Sequence, residues 1–141
     1  MRPLLCIAIL FLVACSESNS SEIQGSNESK DEHQNVLILG DADPTIVFES
    51  GLGDQLENWE FIQRELSQYA RTFSYDRYGL GHSPSTTKPR TLENQVSELK
   101  SILEYKKING PIILVGHSLG GYIIRKFQAE YPDQVVGMVI I

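Results

Sequence analysis

The sequence predicts an α/β fold, with a mostly parallel sheet and helices on both of its faces. Two observations support this prediction. Short apolar runs alternate along residues 36–141 with segments whose apolar residues recur at helical spacing. Glycine, proline or aspartate separates most of these segments, as expected at turns. Strands that alternate with helices are joined by right-handed crossovers, which make neighbouring strands parallel.

The first half of this region predicts three strands and one helix. Residues 36–39, 45–48 and 72–75 are the apolar runs that predict strands. A helix is predicted between the second and third strands, with Asn58 as its cap. Its face is formed by the apolar residues at helical spacing, which are Trp59, Ile62, Leu66 and Tyr69.

The second half predicts two further strands and two helices. Thr91 is the predicted cap of a helix that ends before Gly110, and residues 111–115 form a continuous apolar strand. Pro132 ends the helix that follows, and residues 135–141 are the last predicted strand. The two helical faces consist of apolar residues at helical spacing, which are Leu92, Val96, Leu99 and Leu103, then Leu119, Ile123 and Phe127.

Length and charge limit the classes of protein to which the chain can belong. Its 141 residues are enough for one domain with one core. The formal net charge is -6, and lysine and arginine form no cluster. Phosphate backbones require concentrated positive charge, so no nucleic acid is expected as a partner.

Residues 1–14 resemble a bacterial lipoprotein signal peptide. Arg2 supplies a positive charge, and residues 4–13 are an apolar run too short to span a bilayer comfortably. Leu-Val-Ala-Cys at residues 12–15 resembles a lipobox, in which the cysteine is lipidated after cleavage. Cys15 would then be the only cysteine, so no internal disulfide is expected. The alternative is an ordinary secretory peptide with a chance cysteine.

The predicted location is therefore the bacterial cell envelope, with the membrane as a partner through lipidated Cys15. Ser16 does not resemble the inner-membrane retention signal, which favours the outer membrane where two membranes exist, and otherwise the cell membrane. Residues 15–35 are rich in serine, asparagine, glutamate, aspartate and glutamine. This composition predicts a disordered tether to the domain at residues 36–141.

A Gly-His-Ser-Leu-Gly-Gly motif occupies residues 116–121, between a predicted buried strand and a predicted amphipathic helix. In this context the motif predicts a nucleophile elbow, with Ser118 as the catalytic nucleophile. Gly116 and Gly120 suit the turn because side chains two residues before and after the serine would collide. The helix N-terminus also offers free backbone N–H groups to a developing oxyanion. The alternative is a glycine-rich turn that only packs.

Three stretches, taken together, resemble α/β-hydrolases. Residues 47–54 resemble the oxyanion strand and loop, with Glu-Ser-Gly where many members have a His-Gly pair. Residues 75–83 resemble the loop with aspartate, arginine and two glycines that follows the next strand, and residues 116–121 resemble the nucleophile elbow. The resemblance covers residues 36–141 and implies a partial α/β-hydrolase domain, truncated after the strand that follows the elbow helix.

The resemblance implies a serine hydrolase that acts on an ester or amide-type acyl substrate, a small molecule, without a cofactor or metal. Ser118 corresponds to the nucleophile, and the backbone N–H groups of Leu52 and Leu119 correspond to the oxyanion hole. For Leu52 the alternative is a loop leucine that packs. Asp76 and Arg77 are expected to hold their loop through an ion pair or a cap. The three histidines are scattered, which gives no pattern of metal ligands.

The acid and base of a catalytic triad follow the serine in this family. No histidine follows Ser118, and the carboxylates after it are Glu130 and Asp133. His117 is expected to be structural, and His82 is a poor candidate for the base because it precedes the serine. The acid and base are therefore expected in coding sequence beyond residue 141, and the 141-residue chain is expected to be truncated and inactive.

The apolar residues 135–141 support the same expectation, because nothing in the sequence would cover them and an uncovered strand is prone to aggregation. A second class of function stays open, namely a lipoprotein that keeps the hydrolase scaffold as a non-catalytic binding module. A nucleotide-binding domain is excluded. Tyr122 and Ile123 stand where a phosphate-binding loop requires lysine and serine or threonine.

Overall fold

The computed structural model describes residues 33–141. The predicted signal peptide, Cys15 and the predicted tether up to residue 32 lie outside the described residues. The last three residues assigned to the tether contact the domain. The His33 ring stacks on Tyr105 with the ring centroids 3.7 Å apart, and the Asn35 side chain donates a hydrogen bond to Asp76 at 2.9 Å.

Five strands and three α-helices alternate along residues 33–141, at the positions that the apolar runs predict. They are β1 (Val36–Leu39), β2 (Thr45–Glu49), α1 (Glu57–Leu66), β3 (Arg71–Tyr75), α2 (Leu92–Tyr105), β4 (Ile112–Gly116), α3 (Leu119–Glu130) and β5 (Val135–Ile140). A short 3₁₀ helix at Pro132–Gln134 joins α3 to β5.

The strands form one sheet in the order β1-β3-β2-β4-β5, in which β1 is antiparallel to β3 and the other neighbours are parallel. The prediction of a mostly parallel sheet is therefore confirmed. Because β2, β3, β4 and β5 run in the same direction, the residues that follow them meet at the C-terminal edge of the sheet. Ser50, Asp76, His117 and Ile141 are the first residues after these four strands.

The main core lies between one face of the sheet and helices α2 and α3. Val47, Phe73 and Leu114 of the sheet are each fully buried in it. The predicted face of α2 is confirmed, since Val96, Leu99 and Leu103 belong to the same core. The predicted cap is also confirmed. The Thr91 hydroxyl accepts a hydrogen bond from the backbone N–H of Asn94 at 3.3 Å.

Helix α1 lies on the opposite face of the sheet, so helices cover both faces as predicted. Its predicted apolar face is wrong in part, because its fully buried residue is Gln63. The Gln63 amide donates to the Leu37 carbonyl at 2.8 Å and accepts from the Ser74 hydroxyl at 2.7 Å. By contrast Ile62 is 39% exposed, and Tyr69 lies beyond the end of the helix. The polar groups of β1 and β3 under α1 explain why an amide is buried there.

The predicted cap of α1 is also wrong. Asn58 lies inside the first turn of the helix, and Leu56 occupies the cap position without a side-chain cap. The backbone N–H of Leu56 instead donates to the Asp76 carboxylate at 2.9 Å. A carboxylate from the end of β3 therefore satisfies the N-terminus of α1 and favours its positive end electrostatically.

Strand β5 lies at the end of the sheet formed by residues 33–141 and exposes apolar side chains, in agreement with the expectation from its sequence. The exposed fraction ranges from 41% to 66% for the apolar residues of β5 and for the residue that follows it. These residues are Val136, Met138, Val139, Ile140 and Ile141. No helix within residues 33–141 combines the length and apolarity that a bilayer span requires.

Candidate active site

Ser118 lies in the turn between β4 and α3, with φ 51° and ψ -117°. A residue other than glycine rarely adopts a positive φ, and such strained residues cluster at active sites. The turn is closed by two hydrogen bonds, from the Gly120 N–H to the His117 carbonyl at 2.8 Å and from the Gly121 N–H to the Ser118 carbonyl at 2.9 Å. Ser118 is exposed. Its geometry is the one that a nucleophile elbow requires.

The glycines of the motif lie where there is no room for a side chain. A Cβ atom on Gly120 would lie 2.1 Å from the Glu49 carbonyl oxygen, and one on Gly116 would lie 2.8 Å from the Gly120 carbonyl carbon. The His117 N–H also donates to the Glu49 carbonyl at 3.1 Å. The elbow therefore packs directly on the backbone of β2 where that strand ends.

The two predicted oxyanion-hole residues lie on either side of one surface depression. Leu52 follows β2 and is 82% exposed, and Leu119 is the first residue of α3. Both line a depression of about 600 Å³, together with Leu80, Leu92 and other residues. Within residues 33–141, neither backbone N–H donates a hydrogen bond to the chain. Both groups are therefore free to bind an oxygen atom of a ligand.

A buried ion pair fixes the loop that contains Leu52. Arg77 and Glu49 are 4% and 0% exposed, and the Arg77 Nη1 atom lies 2.6 Å from Glu49 Oε1. The same guanidinium donates to the Ser50 carbonyl at 2.7 Å and to the Gly51 carbonyl. The Tyr75 hydroxyl donates to the other Glu49 oxygen at 2.5 Å. Arg77 thus holds its own loop and the loop after β2.

The carboxylate of Asp76 joins three segments. Besides the N-terminus of α1, it accepts hydrogen bonds from the Asn35 side chain at 2.9 Å and from the His82 N–H at 3.0 Å. It is fully buried. Asp76 and Arg77 therefore have the structural arrangement that the resemblance implies, a cap and an ion pair.

Burial changes the acid–base properties of the network around Arg77. Loss of hydration raises the pKa of Glu49, and the charge of Arg77 and the hydrogen bond from Tyr75 oppose this increase. Loss of hydration, followed by the charge of Glu49, raises the pKa of Tyr75 well above its ordinary value. The side-chain hydrogen bonds of Glu49 and Tyr75 are to each other and to Arg77, so this network supports the loop and does not contact Ser118 through a hydrogen bond.

No imidazole is hydrogen-bonded to Ser118 within residues 33–141. His117 faces Asp54, with its Nδ1 atom 3.6 Å from Asp54 Oδ2, and so it has a side-chain partner that the sequence did not indicate. His82 and His33 line a different depression. Ser118 itself borders a depression lined by Gly121, Tyr122, Arg125 and Ile140.

The two carboxylates that follow Ser118 in the sequence, Glu130 and Asp133, also form no hydrogen bond with it in the described part of the chain. Glu130 pairs with Lys126 at 3.1 Å near the end of α3, and Asp133 lies in the 3₁₀ helix. Within residues 33–141, no group of three or more histidine, cysteine, aspartate or glutamate side chains is arranged to hold a metal ion.

Besides the contact of His117 with Asp54, sequence reasoning missed two features of the site. One is the role of Glu49, for which the signal was a glutamate at the end of the apolar run of β2. The other is the contact of Ser50 with Trp59, whose ring N–H donates to the Ser50 hydroxyl at 2.8 Å. Ser50 is therefore engaged in holding α1 against the end of β2.

Comparison with known proteins agrees with this geometry. A family model for the alpha/beta hydrolase fold matches residues 44–141. An uncharacterized protein of Bacillus subtilis, YqjL, is 33% identical over 102 residues, which cover 72% of this chain and 40% of that protein. A bovine (lyso)-N-acylphosphatidylethanolamine lipase is 30% identical over 99 residues, which cover 68% of this chain and 29% of the lipase.

A solved structure of an alpha/beta hydrolase is also similar to this chain. MGS-M2, an alpha/beta hydrolase enzyme from a deep-sea metagenome library of the Medee basin, has a TM-score of 0.70 at 28% identity. The superposition covers 76% of this chain and 40% of that enzyme. The chain thus spans less than half the length of the proteins to which it is compared.

Gly120→Ala should destabilise the protein by about 1–3 kcal/mol, because the new methyl group would overlap the Glu49 carbonyl. Urea unfolding followed by circular dichroism measures this loss. Gly137→Ala is the matched control, since its methyl group would meet Ile113 at an ordinary 3.6 Å. Equal stability of Gly120→Ala and wild type would contradict the close packing of the elbow on β2.

Glu49→Gln should change how stability depends on pH. Because the pKa of Glu49 is raised by folding, the folded protein binds this proton more tightly than the unfolded chain does. The resulting stabilisation is complete below the unfolded pKa of about 4.3 and is lost as the pH rises through the folded pKa. The free energy of unfolding of wild type should therefore fall relative to that of Glu49→Gln as the pH rises from about 4. A relative increase would show that the pKa is lowered instead.

Proposed function

The chain belongs to the alpha/beta hydrolase fold family, and we propose that it supplies the nucleophile and oxyanion hole of a serine hydrolase. The observation that supports this most directly is the turn at Ser118. An exposed serine is held there at positive φ between a central strand and a helix N-terminus. A turn with only a packing role would not require this strain at a residue other than glycine.

The oxyanion hole in this proposal consists of the backbone N–H groups of Leu52 and Leu119. Both groups lack a hydrogen-bond acceptor within residues 33–141, and both residues line the same depression. The N–H of Leu119 also lies at the N-terminus of α3, where the helix dipole favours negative charge. Two such donors would stabilise the oxyanion of a tetrahedral intermediate.

The catalytic acid and base in this proposal come from outside residues 33–141. Serine requires an imidazole to accept its proton and an acid to orient that imidazole. His117 is directed to Asp54 and His82 to another depression, so neither is placed to activate Ser118. Segments beyond those described here would contribute the missing groups.

The proposed substrate is an ester or amide-type acyl compound. The depression beside Leu52 and Leu119 also contains Leu80 and Leu92, which offer an apolar surface to an acyl chain. The bovine relative is a lipase, which is consistent with acyl transfer to water as the reaction. We place the enzyme at the bacterial cell envelope, attached to the membrane by lipidated Cys15.

Ser118→Ala should abolish ester hydrolysis by the protein expressed from its full reading frame. Loss of a serine nucleophile reduces kcat by more than about 10³-fold. Hydrolysis of p-nitrophenyl butyrate and labelling by a fluorophosphonate probe measure the effect. Ser101→Ala is the matched control, because Ser101 is exposed on α2 and bonded to its own helix. An unchanged rate in Ser118→Ala would refute the assignment, and inactive, unlabelled wild type would favour the non-catalytic binding scaffold.

Cys15→Ala should prevent lipidation in a bacterial host, because Cys15 is the proposed acceptor of the lipid. Metabolic labelling with an alkyne analogue of palmitate and membrane fractionation measure the change. Cys6→Ala is the matched control, since Cys6 lies in the segment that cleavage would remove. Lipid label on Cys15→Ala, or equal loss of label from Cys6→Ala, would contradict the proposed anchor.

A further inference from the structure

The side chains of Asp54 and His117 face each other across the gap between the loop after β2 and the elbow. Their closest atoms, Asp54 Oδ2 and His117 Nδ1, are 3.6 Å apart, and the side chains are 37% and 51% exposed. They line a depression of about 280 Å³, whose other members are Ser50, Asn58, Trp59 and Ile141. Asp54 lies two residues after Leu52 and His117 lies two residues before Leu119, so the pair faces across the gap between the two segments that carry the proposed oxyanion donors.

An oxyanion hole needs its two donors at a fixed separation, because each N–H must lie about 2.7–3.1 Å from the same oxygen atom. The Leu119 N–H is fixed by α3 and by the packing of the elbow on β2. The Leu52 N–H belongs to an exposed loop, and the Leu52 side chain contributes no anchor because it is 82% exposed. The position of this second donor therefore depends on its neighbours.

The loop is held on both sides of Leu52. On the side of β2, Arg77 binds the carbonyls of Ser50 and Gly51. On the other side, the Asp54 N–H donates to the Gly51 carbonyl at 3.3 Å. The Asp54 carboxylate faces His117. This pair of side chains connects this end of the loop to the elbow.

The pair lies directly against the backbone that carries the Leu52 N–H. A Cβ atom on Gly51 would lie 2.5 Å from Asp54 Oδ2 and 2.9 Å from His117 Nδ1. Gly51 therefore permits the carboxylate and the imidazole to close over its Cα atom. Movement of the Gly51 Cα atom in that direction would bring it against these two side chains.

We infer that Asp54 and His117 are positioning residues, which hold the Leu52 N–H at the correct distance from the Leu119 N–H. This inference rests on the proposed function of these two donors. Within residues 33–141 neither side chain is hydrogen-bonded to Ser118, and the two side chains face each other instead. Their effect is to stabilise the transition state, where the oxyanion forms, rather than the bound substrate.

The test compares Asp54→Asn and His117→Gln with Glu93→Gln in the protein expressed from its full reading frame. Glu93→Gln is the matched control because it removes a similarly long, exposed pair, Glu93 of α2 with Lys126 of α3 at 3.3 Å, away from the loop and the elbow. We expect kcat for p-nitrophenyl butyrate to fall about tenfold in both site variants with KM changed less than about twofold, a smaller loss than removal of a donor causes. Glu93→Gln should leave both constants unchanged.

Amide hydrogen exchange provides a second readout that does not depend on catalysis. In the two site variants, the protection factor of the N–H of residue 54, which donates to the Gly51 carbonyl in the wild type, should fall about tenfold, while protection in β2 and β4 stays unchanged. Inactive wild type would refute the proposed function, and the exchange result would still decide the positioning role. Unchanged protection at residue 54, unchanged kcat in an active enzyme, or loss of protection throughout the sheet would each overturn the inference.

Discussion

The buried ion pair between Arg77 and Glu49 is the interaction on which the C-terminal edge of the sheet depends. Removing two charges from water is costly, and the cost is offset only when the remaining hydrogen-bonding groups are also satisfied. Here the second Glu49 oxygen accepts from Tyr75, and the guanidinium reaches two further carbonyls. The pair therefore joins β2 and β3 and at the same time orders the loop that follows β2.

Three consecutive residues at the end of β3 act on three different segments. Tyr75 binds the carboxylate at the end of β2, Asp76 binds the N-terminus of α1, and Arg77 binds the loop at residues 50–51. A single strand end thus sets the position of β2, of its loop and of the next helix. In this chain the residues at the start of the stretch 75–83 therefore have a structural function.

The sequence was sufficient to predict the fold and the turn at Ser118, because both depend on local patterns. Apolar runs predicted all five strands, and the glycines around Ser118 predicted a turn that has no room for other side chains. The errors concern α1, where the cap comes from Asp76, twenty positions along the chain, and the buried face includes Gln63. The contact of Asp54 with His117 was missed for the same reason, since only the folded sheet brings these residues together.

The contact of Gly120 with the Glu49 carbonyl has a consequence for motion at the site. Because Gly120 of α3 meets the Glu49 carbonyl through backbone atoms, a change of rotamer at this contact cannot let the two elements slide. The nucleophile and the end of β2 must then move as one rigid body. Accommodation of ligands of different size would then depend on side chains that line the depression, such as the exposed Leu52 side chain, and not on movement of this junction.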